Sequence, residues 1–297
     1  MTMIHTLSVP SIDDVLLPLA DGRYVPTKML RLDSVDTLMS GNKAYKLLPN
    51  IQYALDHGCD TLLSFGGAFS NHLYALAMAG KKYGLKTVAV VRGEADAIQN
   101  STLSKAVNAG MTCHFVDRQA YRRRLDRDYL AFWQDKYPNA HIIPEGGSNE
   151  LARQGCKRLG EYLCNVVPVD TTLLVPVGTG TTLQGLQAGL KGHAKVLGVA
   201  ALKGMQPMAN VDLLDSYHFG GYGKITAELV VLMQRFEELN QIEIDPVYTA
   251  KMVAAASDMV STGKLNPQNL IILHTGGVQG KQGMLERLIS LGYQVSA

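Results

Sequence analysis

Short apolar runs alternate with stretches of helical periodicity along most of the chain. The runs occupy 61–65 (TLLSF), 86–91 (KTVAVV), 112–116, 141–144, 172–177 (TLLVPV), 195–202 (KVLGVAAL) and 270–274 (LIILH). Several are apolar at consecutive positions instead of alternating, the pattern of strands buried on both faces of a parallel sheet. Between them, the periodicity predicts helices over 43–57, 71–83, 97–109, 120–136, 149–166, 181–191, 225–239 and 246–261. Such alternation predicts an α/β protein with doubly wound sheets. Residues 203–224 break the rhythm, and a stretch of that length without an element reads as a loop over a site.

Composition narrows the class. The chain has 297 residues, 46% hydrophobic and 18% charged. That supplies the core of one large or two modest domains. The net charge is +2. The one cationic run, Arg122-Arg123-Arg124, is followed by Asp126 and Asp128, so neither a nucleic-acid nor a membrane partner is expected. Cys59, Cys113, Cys156 and Cys164 form no C-x-x-C pair and read as reduced thiols. The start of the chain lacks a secretory pattern, and no apolar run reaches the ~20 residues that span a bilayer. The expected setting is soluble and cytoplasmic. His57-Gly58-Cys59 and Cys113-His114 match no zinc spacing, so no metal is expected.

In open α/β sheets, ligands bind at the carboxyl ends of strands, and four predicted strand exits are rich in glycine and polar residues. The exit GTGTTLQG, Gly178 to Gly185, precedes a helix. Its glycines admit an anion close to backbone amides, and the helix start adds partial positive charge. The dinucleotide fingerprint fails because Leu183 holds the third glycine position. The nucleotide-triphosphate pattern fails at Gly280-Lys281, where Thr275 replaces the first glycine and Gln282 the Ser/Thr. A cup for one phosphate points instead to pyridoxal phosphate and a reactive lysine.

Local sequence does not identify that lysine. Asn42 reads as an N-cap, and Lys43 and Lys46 share one face of the following helix. Helical statistics place both in solvent. Ser70-Asn71-His72 follows a double glycine, but Ser70 lies in no G-x-S-x-G elbow. That segment reads as a capping turn or as polar recognition of a small ligand. Tyr248 opens a helix after Asp245-Pro246, and glycines flank Tyr222.

The motifs GNKAYKL, FGGAFSNH, GTGTTLQGL, GGYG, DPVYTAKM and HTGG occur here in the order of the 1-aminocyclopropane-1-carboxylate deaminase and D-cysteine desulfhydrase family, which the chain resembles from about residue 10 to 290. The resemblance implies pyridoxal 5'-phosphate as cofactor and a small amino acid as substrate. It implies a homodimer of two-domain α/β subunits of the tryptophan-synthase-β fold type. The large domain would combine 1–50 and 160–297, with 51–159 inserted. Lys46 would carry the cofactor, Asn71 would contact its 3-hydroxyl, and Gly178, Thr179, Gly180, Thr181 and Thr182 would hold its phosphate. Ser70, Asn71 and His72 would meet the substrate, with Tyr222 and Tyr248 on the substrate side of the ring.

Thr249 and Thr275 match the desulfhydrase branch of that family. A hydroxyl beside the pyridine nitrogen leaves it largely neutral, which suffices when a β leaving group departs directly. The expected activity is α,β-elimination, with D-cysteine giving pyruvate, sulfide and ammonia. Deamination of 1-aminocyclopropane-1-carboxylate, elimination from another β-substituted amino acid, and cofactor binding without turnover are the alternatives. Tyr45, Phe69, Leu73 and Tyr74 replace polar residues usual in the family, so a less polar pocket is expected.

Overall fold

The computed structural model describes residues 7–39, 41–208 and 211–290. Two sheets organise the chain. Strands β1 (Ser11–Pro18), β2 (Tyr24–Arg31), β7 (Thr172–Val177), β8 (Lys195–Ala200), β9 (Asp212–Leu214) and β10 (Leu270–His274) form one, in the order β1-β2-β10-β7-β8-β9. Strands β3 (Thr61–Gly67), β4 (Lys86–Arg92), β5 (Met111–Val116) and β6 (Ala140–Ile143) form the other, ordered β5-β4-β3-β6. β1 pairs antiparallel with β2, and the other described pairings are parallel.

The helices are α1 (Asn42–Asp56), α2 (Asn71–Tyr83), α3 (Ser101–Asn108), α4 (Arg118–Arg122), α5 (Arg127–Lys136), α6 (Glu150–Leu163), α7 (Thr181–Leu190), α8 (Ala227–Asn240), α9 (Thr249–Ser261) and α10 (Lys281–Ser290). The helix expected over 120–136 is two: Asp117 accepts from the Ala120 amide and starts α4 early, and a turn at 123–126, closed by the Asp126 amide on the Arg123 carbonyl, separates it from α5. β1 and β2 escaped the hydrophobic pattern because acids and prolines interrupt them. Their register is fixed partly by ion pairs, Lys28 to Asp14 at 2.7 Å and Arg31 to Asp13 at 2.9 Å. The loop expected over 203–224 contains the short edge strand β9.

β7 shows why its run is continuously apolar. Leu173, Val175 and Val177 pack with Leu183 and Leu186 of α7. Leu174, facing the other way, packs with Met233 and Phe236 of α8 and with Met252 and Val253 of α9. Both faces are covered, and each fully buried aliphatic side chain contributes ~1.5–3 kcal/mol.

Helix contact sets where α1 sits. Pro49 lies inside α1 and has no N–H, so the Tyr45 carbonyl lacks its helical partner. Gly155 of α6 occupies that spot: a Cβ there would fall 1.9 Å from the Tyr45 oxygen. On its other side α6 meets α7, where a Cβ on Gly189 would fall 2.1 Å from the Lys157 oxygen. Three helices therefore touch nearly backbone to backbone, and α1 is held beside the start of α7.

Candidate active site

A cavity of about 360 Å³ lies where strand exits from both sheets converge with the start of α1. Its wall is drawn from Gly67 at the end of β3, Gly146 after β6, Gly178 after β7, Leu202 after β8 and Thr275 after β10.

The start of α1 is tied to two of these exits. Gly41, at φ 71°, takes the cap position, and Asn42 is the first helical residue rather than the cap. The Asn42 amide donates to the Thr275 carbonyl at 3.2 Å, and its side-chain nitrogen donates to Thr182 Oγ1 at 2.9 Å. Both lysines point inward, contrary to the solvent-facing expectation. Ala44, Leu47, Leu48 and Ile51 are core residues, and the helix is exposed to solvent only toward its end, as at Tyr53 and Leu55, so its polar face at the start is turned to the cavity.

The two ammonium groups have different surroundings. Lys46 is 4% exposed, and its Nζ donates to the Gly146 carbonyl at 3.1 Å and to Thr179 Oγ1 at 3.4 Å. Burial lowers its pKa. Lys43 Nζ donates to Asn42 Oδ1 at 3.0 Å. Burial, and then the neighbouring charge of Lys46, lower Lys43 to about 7. A buried ammonium loses hydration that its partners only partly replace.

Gly178, Thr179, Gly180 and Thr182 line the cavity. Thr181 is not part of the lining; its hydroxyl donates to Ser148 Oγ at 3.0 Å and lies 3.2 Å from Thr179 Oγ1. No side chain caps α7, whose N-cap is Gly180 at φ 85°. α2, α6 and α8 are capped by Ser70, Asn149 and Thr226. The α7 amides thus remain available to an anion.

Ser70, Asn71 and His72 also line the cavity, and Ser70 is the N-cap of α2. Ser70 Oγ accepts from the Leu73 amide at 3.2 Å. The Asn71 side chain is seated against Gly277, where a Cβ would fall 2.4 Å from its nitrogen. Ser64 Oγ donates to the Ile143 carbonyl at 2.7 Å, so His72 Nε2, 2.9 Å away, is the donor to Ser64. Nδ1 is then a bare acceptor, and it has no partner. Burial, with Lys43 and Lys46, holds the His72 pKa well below its usual value, so the ring is neutral.

Tyr248 and Tyr222 meet edge to face, with centroids 6.3 Å apart. Tyr248 rests on Gly178, where a Cβ would fall 3.0 Å from its ring. Desolvation where it is covered raises the Tyr222 hydroxyl to about 12, although the residue is 42% exposed, and burial lifts Tyr248 well above its usual value. Both are proton donors at neutral pH. The Asp245 carboxylate accepts from the amides of Val247, Tyr248 and Thr249 at 3.1, 3.0 and 2.8 Å and so fixes the start of α9.

The two threonines part company. Thr275 lines the cavity. Thr249 is fully buried, is not part of the lining, and its hydroxyl has no partner. Thr275 is steadied by His274, which donates to the Glu243 carbonyl at 2.7 Å and accepts from the Gly276 amide at 3.0 Å.

Sequence reading missed Arg92, Arg124 and Glu145, which also line the cavity. Arg124 Nε donates to Glu145 at 2.6 Å, and the Tyr121 hydroxyl donates to Glu145 at 2.8 Å. The available signal was position: Arg92 ends β4 and Glu145 follows β6. The four departures Tyr45, Phe69, Leu73 and Tyr74 do not line the cavity. Tyr45 and Leu73 are core residues, and Phe69 lies against Gly283. The expectation that they make the pocket less polar is therefore corrected.

The sequence profile described as "Pyridoxal-phosphate dependent enzyme" matches residues 29–276. A Pyrococcus abyssi protein named "Putative 1-aminocyclopropane-1-carboxylate deaminase" is 29% identical over 282 residues, covering 84% of this chain and 85% of its own. The D-cysteine desulfhydrase of Klebsiella pneumoniae (strain 342) is 26% identical over 311 residues, covering 92% and 93%. The crystal structure of an ACC deaminase homologue superposes with a TM-score of 0.82 at 23% identity, covering 96% of this chain and 94% of that one. It shares the two-sheet fold. No helix among the described residues is long and apolar enough to cross a membrane.

Proposed function

The chain belongs to the pyridoxal-phosphate dependent enzyme family, and on that premise we propose a lyase that eliminates a β-substituent from a small amino acid, D-cysteine first. The observation that carries this reading is geometric: Lys43 and Lys46 line the same cavity as an uncapped helix start and the tyrosine pair Tyr222 and Tyr248.

The residues fit the cofactor. The uncapped α7 amides, Thr179, Thr182 and the Lys46 ammonium suit its phosphate. Asn71 suits its 3-hydroxyl, and Thr275 its ring nitrogen. When bound, pyridoxal phosphate supplies an electron sink for charge developing at the substrate Cα.

The amine that carries it is assigned to Lys43, not to Lys46 as the motif resemblance implied. Lys46 is engaged by Gly146 and by Thr179 of the phosphate cup, which suits a fixed cation. Lys43 is lowered to about 7 by burial and by the Lys46 charge, and it is held by one rotatable side chain, Asn42. Lys43 would also take the Cα proton. The start of α2 at Ser70 and Asn71 would bind the substrate carboxylate. Tyr222 or Tyr248 would give a proton to the leaving group. We place this chemistry between a large domain of 1–50 and 160–297 and an inserted 51–159. The protein would act as a cytoplasmic homodimer, a setting that suits its four free cysteines.

Cyclopropane deamination is the second reading, favoured by the Pyrococcus relative. Product analysis on the loaded enzyme separates them. Sulfide and pyruvate from D-cysteine are expected; 2-oxobutanoate from 1-aminocyclopropane-1-carboxylate without sulfide would reverse the order. Thr275→Val is expected to lower turnover by roughly tenfold or more, by removing one hydrogen bond. Thr249→Val removes an unpartnered hydroxyl, so calorimetry should show an unchanged or higher melting temperature. The opposite ranking of the two variants would move the ring contact to Thr249.

A further inference from the structure

Lys251 is 1% exposed and stands outside the cavity wall. Its ammonium donates to the carbonyls of Ala201, His218 and Gly221 at 3.2, 2.9 and 2.8 Å. A lysine has three donors and no acceptor, so its hydrogen-bonding capacity is met in full by backbone. Ala201 follows β8 directly, whereas His218 and Gly221 belong to the segment that carries Tyr222.

Those two carbonyls also begin consecutive turns. The Gly221 amide donates to His218 O at 3.0 Å, and the Lys224 amide donates to Gly221 O at 3.1 Å. Tyr222 sits inside the second turn. The backbone around it is left-handed at Phe219 (φ 52°), Gly220 (94°), Gly221 (117°) and Gly223 (64°). Phe219 in particular holds a conformation that costs a side-chain-bearing residue energy. Such a segment keeps its shape only where its surroundings over-determine it.

We propose that Lys251 is a positioning residue: its ammonium fastens both turns to α9 and to the end of β8, and so holds Tyr222 against Tyr248 at the cavity. α9 then sets both tyrosines, Tyr248 directly from its N-cap and Tyr222 through the side chain at 251. A buried ammonium is unfavourable unless all its donors are matched. Here two of the three matching carbonyls belong to the segment that brings Tyr222 to the site. The inference rests on Tyr222 belonging to the active site.

Hydrogen–deuterium exchange on the pyridoxal-phosphate-loaded, full-length protein tests it. Lys251→Met should raise exchange of the amides in 203–224 at least about tenfold, with amides of α9 changed by less than about twofold. Lys251→Gln, with two donors, should fall between Met and the parent, and it decides the matter if the Met variant does not fold. Unchanged exchange in 203–224, or equal loosening of α9, overturns the proposal. In turnover, Lys251→Met added to Tyr222→Phe should cost little beyond Tyr222→Phe alone, because both act through one hydroxyl. Fully additive losses also overturn it. Absence of turnover on every amino acid would count against the lyase reading alone, since exchange reports on Lys251 without it.

Discussion

Lys43→Ala is expected to lower turnover by about 10³-fold or more, because it removes the amine that carries the cofactor and the base together. Lys46→Ala should instead weaken pyridoxal phosphate binding by about 10- to 100-fold, the loss of a charged hydrogen-bonding partner for the phosphate. Borohydride reduction of the loaded protein followed by peptide mapping identifies the lysine directly. A cofactor mass on Lys46 would reverse the assignment.

The pH dependence follows from the same pair. With Lys43 lowered to about 7, the free-amine fraction rises through that pH and saturates above it. Cofactor capture should therefore level off above neutrality instead of climbing toward the ordinary lysine range of ~10.4. The Lys46 charge is one cause of the lowered value. Lys46→Met should accordingly shift the midpoint upward, and a midpoint that stays put would remove Lys46 as a cause.

Gly41→Ala is expected to be the most damaging small substitution in the frame of the site. Its Cβ would lie 1.8 Å from the Thr275 oxygen and 2.5 Å from the Thr275 carbonyl carbon, at φ +71°. Backbone atoms on a central strand exit cannot yield as a side chain can. Either α1 or the β10 exit must move, breaking the bonds from Asn42 to Thr275 and Thr182. A loss of ~3 kcal/mol or more is expected, seen as a fall in melting temperature of roughly 6–12 °C. Gly58→Ala is the control. Its φ is +69°, but nothing lies within 4 Å, so it should cost only the ~1 kcal/mol of a left-handed alanine. Equal losses at the two glycines would show that dihedral strain, not the contact with Thr275, dominates.

The parallel strands were legible because burial on both faces writes itself as an uninterrupted apolar run. β1 and β2 were not, since an edge pair held partly by Asp13, Asp14, Lys28 and Arg31 lacks such a run. The place of Gly178 to Thr182 beside a cavity was legible through glycines and threonines at a strand exit. The orientation of Lys43 and Lys46 was illegible for the opposite reason: a helix face turned to a polar cavity has the same pattern as one turned to water. Arg92 and Glu145 come from separate strand exits and Arg124 from the turn after α4, and no local spacing connects them. Tyr45, Phe69, Leu73 and Tyr74 adjoin site residues in the motifs but not at the cavity wall, because neighbours along a helix or turn point to different sides.

The sequence by itself determined the α/β class, the strand exits that matter and the family of the cofactor, because these rest on periodicity and on short glycine-rich motifs. Only the tertiary structure decided that both lysines face inward with different partners, that Thr275 reaches the cavity while Thr249 does not, and that Lys251 holds the Tyr222 segment. Each depends on groups far apart in the chain, brought together by helices packed at backbone distance through Gly155 and Gly189, where the loss of water and the approach of distant carbonyls change what a side chain does.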